Sequence, residues 1–109
     1  MEIDITGKNF QVTEPLKKYA IEKIQKLDKY ALKLESVHII FNVQKFRHLA
    51  EITALGKNHR FTAKEESTDM YAAFDKSFGD IQLQFRKQHE KLKDHKGRRY
   101  KDGERPVKL

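Results

Sequence analysis

Residues 69–93, DMYAAFDKSFGDIQLQFRKQHEKLK, carry the longest helical pattern in the chain, and it limits what the remainder can fold into. Met70, Tyr71, Phe74, Phe78, Ile81, Phe85 and Leu92 recur at steps of three and four, which gathers them on one side of a helix. The opposite side carries Lys76, Leu83, Lys87 and Lys91, and the distal half is increasingly basic. One face closes a hydrophobic core, and the other meets solvent or a polyanion. A helix with a single apolar stripe needs a second layer to bury it.

The preceding residues supply that layer. Ile3 and Ile5 alternate with Glu2, Asp4 and Thr6, the pattern of a half-buried strand ended by Gly7, Lys8 and Asn9. Thr13 is the expected N-cap of a first helix, with Glu14 at the positive dipole end and Pro15 where a missing N–H costs nothing. The apolar stripe Leu16, Tyr19, Ala20, Ile24, Leu27, Ala31 and Leu34 predicts that this helix runs to about Leu34, with Lys18, Lys26, Lys29 and Lys33 clustered on its far side. Val37, Ile39, Phe41 and Val43 then alternate with His38, Ile40, Asn42 and Gln44 as a strand. A turn near Lys45 to Arg47 leads to a strand over 48–55, in which Ala50, Ile52 and Ala54 share a face. Gly56, Lys57 and Asn58 supply the next turn, into a strand over 59–64 built on Phe61 and Ala63. Short turns favour antiparallel neighbours. Ser67 or Thr68 is the expected cap of the long helix, with Asp69 in its first turn and its end near 95–97. Gly79 weakens that helix by about 1 kcal/mol relative to Ala, and marks either a bend or close packing.

The order is β-α-β-β-β-α. It predicts an α+β two-layer sandwich, a four-stranded mixed sheet with both helices on one face. Residues 1–95 form the domain, and 96–109 read as a basic disordered tail with six basic and two acidic residues and almost no apolar content.

The 109 residues, 38% of them hydrophobic with seven Phe and four Tyr, suffice for one small core. The start MEIDITGKNF has acidic residues where a signal peptide is basic and apolar, and no stretch approaches the roughly 20 apolar residues of a membrane span. A soluble, cytoplasmic protein is expected. With no cysteine there is no disulfide and no thiolate chemistry.

Catalytic and metal-binding patterns fail on spacing. His89-Glu90 resembles the opening of a zincin motif, but position 93 is Lys and the next histidine is His95, off the required helix face. His38, His48 and His59 fall on strands without a carboxylate cluster of ligand spacing. Ser36, Ser67 and Ser77 read as a strand start, a helix cap and a helix flank, none of them a nucleophile elbow. Gly56-Lys57 lacks the remainder of a phosphate loop. No enzyme, metal or cofactor is expected.

Binding remains. A net charge of +7 favours an anionic partner. The candidate phosphate-binding residues are Lys18, Lys26, Lys29 and Lys33 with Arg86, Lys87 and Lys91. Most aromatics are committed to the apolar stripes, so stacking platforms are scarce and a reader of backbone and shape is indicated.

Ile5-Thr6-Gly7-Lys8-Asn9 with Val12-Thr13, then Lys26-Leu27-x-Lys29-Tyr30, the run from Val37, and above all Asp69-Met70-Tyr71-Ala72-Ala73-Phe74-Asp75 resemble the ribosome hibernation promoting factor or protein Y family over residues 1 to about 95. The resemblance implies the same β-α-β-β-β-α fold and a non-enzymatic function. Such proteins bind the small ribosomal subunit between head and body near the decoding centre, overlap messenger and transfer RNA, and hold ribosomes idle in stress or stationary phase. By position, Lys26, Lys29, Lys87 and Lys91 carry over as ribosomal RNA contacts. The family's second helix continues Asp-Lys-Leu and then Arg-Gln-Leu, where this chain has Gly79-Asp80-Ile81 and Leu83-Gln84-Phe85; two family phosphate contacts are thereby replaced by Asp80 and Leu83. The length matches short members, without the further domain that joins ribosomes into dimers in long ones, and a monomer in solution is expected. The competing reading is a free double-stranded-RNA binder or RNA chaperone, since two helices on a small sheet loosely resemble such domains.

Overall fold

The computed structural model describes residues 1–30 and 33–97, without the side chains of Asp28 and 91–97. Its elements are β1 (Glu2–Lys8), α1 (Glu14–Gln25), a 3-10 turn (Lys26–Tyr30), β2 (Leu34–Gln44), β3 (Arg47–Gly56), β4 (His59–Ser67) and α2 (Met70–Gly97). The sheet order is β1-β2-β3-β4, with β1 parallel to β2 and the other neighbours antiparallel. This is the expected mixed four-stranded α+β sandwich. Its one parallel pair follows from the α1 crossover, and its antiparallel pairs follow from two-residue turns at Lys45-Phe46 and Lys57-Asn58.

Period-two alternation decides which side of the sheet is covered. Val37, Ile39, Phe41, Ala50, Ile52, Ala54, Phe61 and Ala63 are buried, and they pack against Leu16, Ala20 and Ile24 of α1 and Met70, Phe74, Phe78, Ile81 and Phe85 of α2. The opposite face stays open. Register places Asp4 beside His38, Thr53 and Thr62 in one row across it, and Thr6 beside Ile40, Glu51 and Lys64 in the next.

The first helix ends earlier than its apolar spacing predicts. Thr13 caps it as expected, its hydroxyl oxygen accepting the Leu16 amide at 3.3 Å, but α1 closes at Gln25 rather than near Leu34. Leu27 and Tyr30 remain buried on the 3-10 turn because a repeat of three residues keeps them on the core side. Lys33 then takes a left-handed backbone (φ 46°) and Leu34 already belongs to β2. Ala31 lies outside the described residues, as does the tail from residue 98; Lys96 and Gly97 are the last helical residues.

The α2 cap also differs. Ser67 pairs with His48 as the last residue of β4, and Asp69 caps the helix instead, its Oδ1 accepting the Ala72 amide at 3.1 Å. Ser77 is not a flank but fully buried, its hydroxyl donating to the Ala50 carbonyl at 2.5 Å. Gly79 is not a site of close packing: a Cβ added there would meet nothing within 4 Å. Gly7 is the constrained glycine, since a Cβ on it would collide with the Phe10 carbonyl oxygen where the chain folds back beside β1.

Candidate nucleic-acid interface

The helices are joined by a polar and aromatic seam. Tyr19 of α1 donates its hydroxyl hydrogen to Asp75 Oδ1 of α2 at 2.6 Å, and its ring meets Tyr71 and Phe74 edge-on. That hydrogen bond, reinforced by burial and the Asp75 charge, pushes the Tyr19 phenol up to about 12. Further along, Tyr30 packs edge-on against Phe85 and His89, and its carbonyl lies 3.2 Å from His89 Nδ1. The second contact fixes the 3-10 turn against the 85–89 turn of α2.

This arrangement brings some candidate cations together and separates others. Lys26 and Lys29 are exposed on the 3-10 turn, and Lys29 Nζ sits 5.2 Å from the centre of the Tyr30 ring. Arg86 and Lys87 are exposed on the part of α2 that Tyr30 contacts. Arg86 shares a flank with Asp75, Gly79 and Gln82 by helical spacing, and the Tyr19–Asp75 bond turns that flank toward α1. Lys87 lies with Lys76 and Leu83 on the outer side. Lys33 is exposed just before β2. Lys18 stands apart on the outer face of α1, between Glu14 and Glu22 at one turn either way. Lys26, Lys29 and Lys33 therefore do not continue its helical face, as a longer helix would require. The Lys91 side chain lies outside the described residues.

One cation was missed by sequence periodicity. Lys23 reads as an interior helix position, yet its Nζ lies 5.5 Å from the Tyr19 ring centre and 5.8 Å from that of Phe78, in the groove between the helices. Only the packing of one helix on the other creates that position. The two departures in α2 are also placed. Leu83 is 41% exposed on the outer side, whereas Asp80 is half-buried and faces β4 rather than the seam. A hydrogen bond between Asp80 and Glu65, with their like-charge repulsion, raises the Glu65 carboxyl above its ordinary range, against the pull of Lys76.

The strand histidines are scattered by register. His38 faces Thr53 and pairs with Asp4 at 3.3 Å, His48 faces Val43, and His59 faces Gly56 at the far end of β3. Among the described residues, no three metal-ligating side chains form a group. No helix among them is long and apolar enough to cross a membrane.

A basic seam on an α+β sandwich fits several polyanion binders, and comparison with known proteins narrows the choice. The sequence pattern of the family described as "Sigma 54 modulation protein / S30EA ribosomal protein" matches residues 3–93. This chain belongs to that family. The S30EA chain is 33% identical over 95 residues to the ribosome hibernation promoting factor of Escherichia coli K12, covering 87% of this chain and 100% of that protein. It is 32% identical over 91 residues to the protein of the same name from Pseudomonas putida KT2440, covering 84% and 89%. The S30EA fold is also that of a ribosomal subunit interface protein from Coxiella burnetii, with a TM-score of 0.77 at 22% identity over 83% of this chain and 99% of that one. The N-terminal domain of Thermus thermophilus Protein Y superposes with a TM-score of 0.73 at 24% identity, covering 81% and 99%.

Proposed function

We propose that this S30EA chain is a ribosome hibernation factor that binds the small subunit near the decoding centre and keeps ribosomes idle by overlapping messenger and transfer RNA. It acts by binding, not by catalysis. The observation that carries the reading is the Tyr30–His89 contact, which fixes the 3-10 turn bearing Lys26 and Lys29 against the turn of α2 that bears Arg86 on the α1-facing flank and Lys87 on the outer side. Full-length similarity to a hibernation promoting factor supports the same conclusion.

In this reading Lys26, Lys29, Arg86 and Lys87, together with Lys23, Lys33 and Lys91 and with Lys18 as an outlier, neutralise ribosomal RNA phosphates. Phosphate contacts position the protein, and the channel it fills supplies the inhibition. Asp80 and Leu83 remove two family cations, which concentrates binding at the 3-10 turn and the distal part of α2. The protein would work in the cytoplasm as a monomer bound to one small subunit.

Adding the purified protein to a cell-free translation extract should suppress synthesis at about one copy per ribosome, and excess messenger RNA with initiator transfer RNA should relieve the block. Undiminished synthesis at several copies per ribosome would refute the proposal. A free duplex-RNA binder instead requires equal affinity for naked duplex and for ribosomes, so a strong ribosome preference removes that alternative.

A further inference from the structure

The two hairpins of the sheet turn in equally few residues with different chemistry. At the β3–β4 turn the left-handed residue is Asn58 (φ 68°), a type that tolerates this conformation. At the β2–β3 turn it is Lys45 (φ 58°), a residue that ordinarily avoids it. The next residue, Phe46, is 93% exposed, the most exposed large apolar side chain among the described residues. Other phenylalanines are buried or half-buried: Phe41, Phe61, Phe74, Phe78 and Phe85 lie in the core, and Phe10 packs against Phe41. On the other side of Phe46, Arg47 is held in place by Glu66, which accepts from both Nε and Nη2. The tip therefore presents a bare aromatic ring between Lys45 and an Arg47 paired with the Glu66 carboxylate, on a backbone that is not chosen for turn stability.

Its location separates it from the seam. The turn lies at the end of the sheet where α1 and α2 begin, whereas Tyr30, Phe85 and His89 lie toward the other end. The 11 residues of β2 between these ends span about 35 Å at roughly 3.3 Å per residue.

We propose that the Lys45-Phe46-Arg47 tip is a second RNA contact, in which the Phe46 ring stacks on an unpaired base while Lys45, with the Arg47 nitrogen that does not bond Glu66, meets the flanking phosphates. Phenylalanine has no polar atom, so it can recognise a base only through its π-face, and the contact tolerates any base that is unstacked from its neighbours. The charged groups on either side select against an apolar protein pocket, and the charge of Lys45, unpaired among the described residues, favours a polyanion, as the net charge of +7 does for the whole chain. The inference rests on the ribosome-binding reading and extends it to the opposite end of the molecule.

The chain contains no tryptophan, so Phe46→Trp installs a single reporter on the tip. Titrated with isolated small subunits, this variant should bind like the wild type, its emission should be quenched without a blue shift, and acrylamide should lose access to it. Phe46→Ala should weaken binding roughly five- to tenfold, the lower part of the range for loss of one stacked base, with an unchanged melting temperature because the ring packs on nothing. Phe46→Tyr should restore binding. Wild-type affinity in Phe46→Ala overturns the proposal. So does tryptophan emission that stays open to acrylamide in the complex, or that brightens and shifts to the blue as in an apolar protein pocket. If the wild type binds and a Lys26→Glu, Lys29→Glu, Arg86→Glu, Lys87→Glu variant does not, while Phe46→Ala is indifferent, the ribosome-binding reading stands and the tip proposal falls. Failure of the wild type itself to bind ends both.

Discussion

The two helices cover the same sheet by different means. α2 is 28 residues long and places Met70, Phe74, Phe78, Ile81 and Phe85 in the core. Its polar side chains bind the sheet as well: Ser77 donates to Ala50, Gln84 to the Thr62 carbonyl and Lys76 to the Glu66 carbonyl. The last two occupy backbone acceptors of edge strand β4, which would otherwise be open to another chain. α1 has 12 residues, buries only Leu16, Ala20 and Ile24, and passes into a 3-10 turn. It is tied to α2 at Tyr19–Asp75 and, through that turn, at Tyr30–His89. α2 is thus the frame, and the cations at the end of α1 owe their position to it. Packing built on aromatic burial should fail with large energies, and packing built on single polar ties with small ones.

The largest effect is expected at the frame. Phe85 is fully buried and touches Tyr30 and Phe61, so Phe85→Ala should cost about 3–5 kcal/mol by denaturant unfolding and release the 3-10 turn. A loss under 1 kcal/mol would show that α2 is not the frame.

The tie should cost less. Tyr19→Phe keeps the ring and removes the bond to Asp75, for about 1 kcal/mol in this partly solvated position. Its pH dependence has a definite sign. The folded phenol ionises at about 12 and the unfolded one at about 10, so the folded state holds the proton more tightly. The stabilisation is complete below pH 10 and is lost as pH rises from 10 to 12. A wild type and a Tyr19→Phe variant with parallel stability curves across that window would contradict the tie.

The smallest effect is a gain. The space around Gly79 is open, so Gly79→Ala should stabilise α2 by about 0.5–1 kcal/mol through helix propensity alone. A loss on thermal melting would mean that the α1-facing flank of α2 needs the glycine.

The same contrast governs what the sequence discloses. The strands are legible because one face of each is covered, which imposes strict alternation on Val37, Ile39 and Phe41 and on Ala50, Ile52 and Ala54. The core positions of α2 are legible because large apolar residues mark them. The end of α1 is not, since Leu27 and Tyr30 keep a spacing of three that suits a 3-10 turn as well as an α-helix. The α2 cap is obscured because Ser67, Thr68 and Asp69 are all able to cap, and strand pairing with His48 decides which remains free. Ser77 reads as a flank because composition does not reveal the Ala50 carbonyl that satisfies it in the core. At the candidate interface the cations are legible as charge. Their grouping is not, because it arises from the Tyr30 contact between segments 59 residues apart. Phe46 escapes for the opposite reason: aromatic residues are normally buried, and nothing in the local pattern distinguishes the one that is bare.

Co-sedimentation with vacant small subunits through a salt series measures whether Lys26, Lys29, Arg86 and Lys87 bind ribosomal RNA phosphates. If roughly six phosphates are neutralised, log affinity should fall against log salt with a slope of about −4 to −5. The Lys26→Glu, Lys29→Glu, Arg86→Glu, Lys87→Glu variant, folded as judged by an unchanged melting temperature, should remain at the top of the gradient even at low salt. Co-sedimentation of that variant with wild-type affinity, or wild-type binding that is flat across the salt series, would rule out phosphate binding by these four residues.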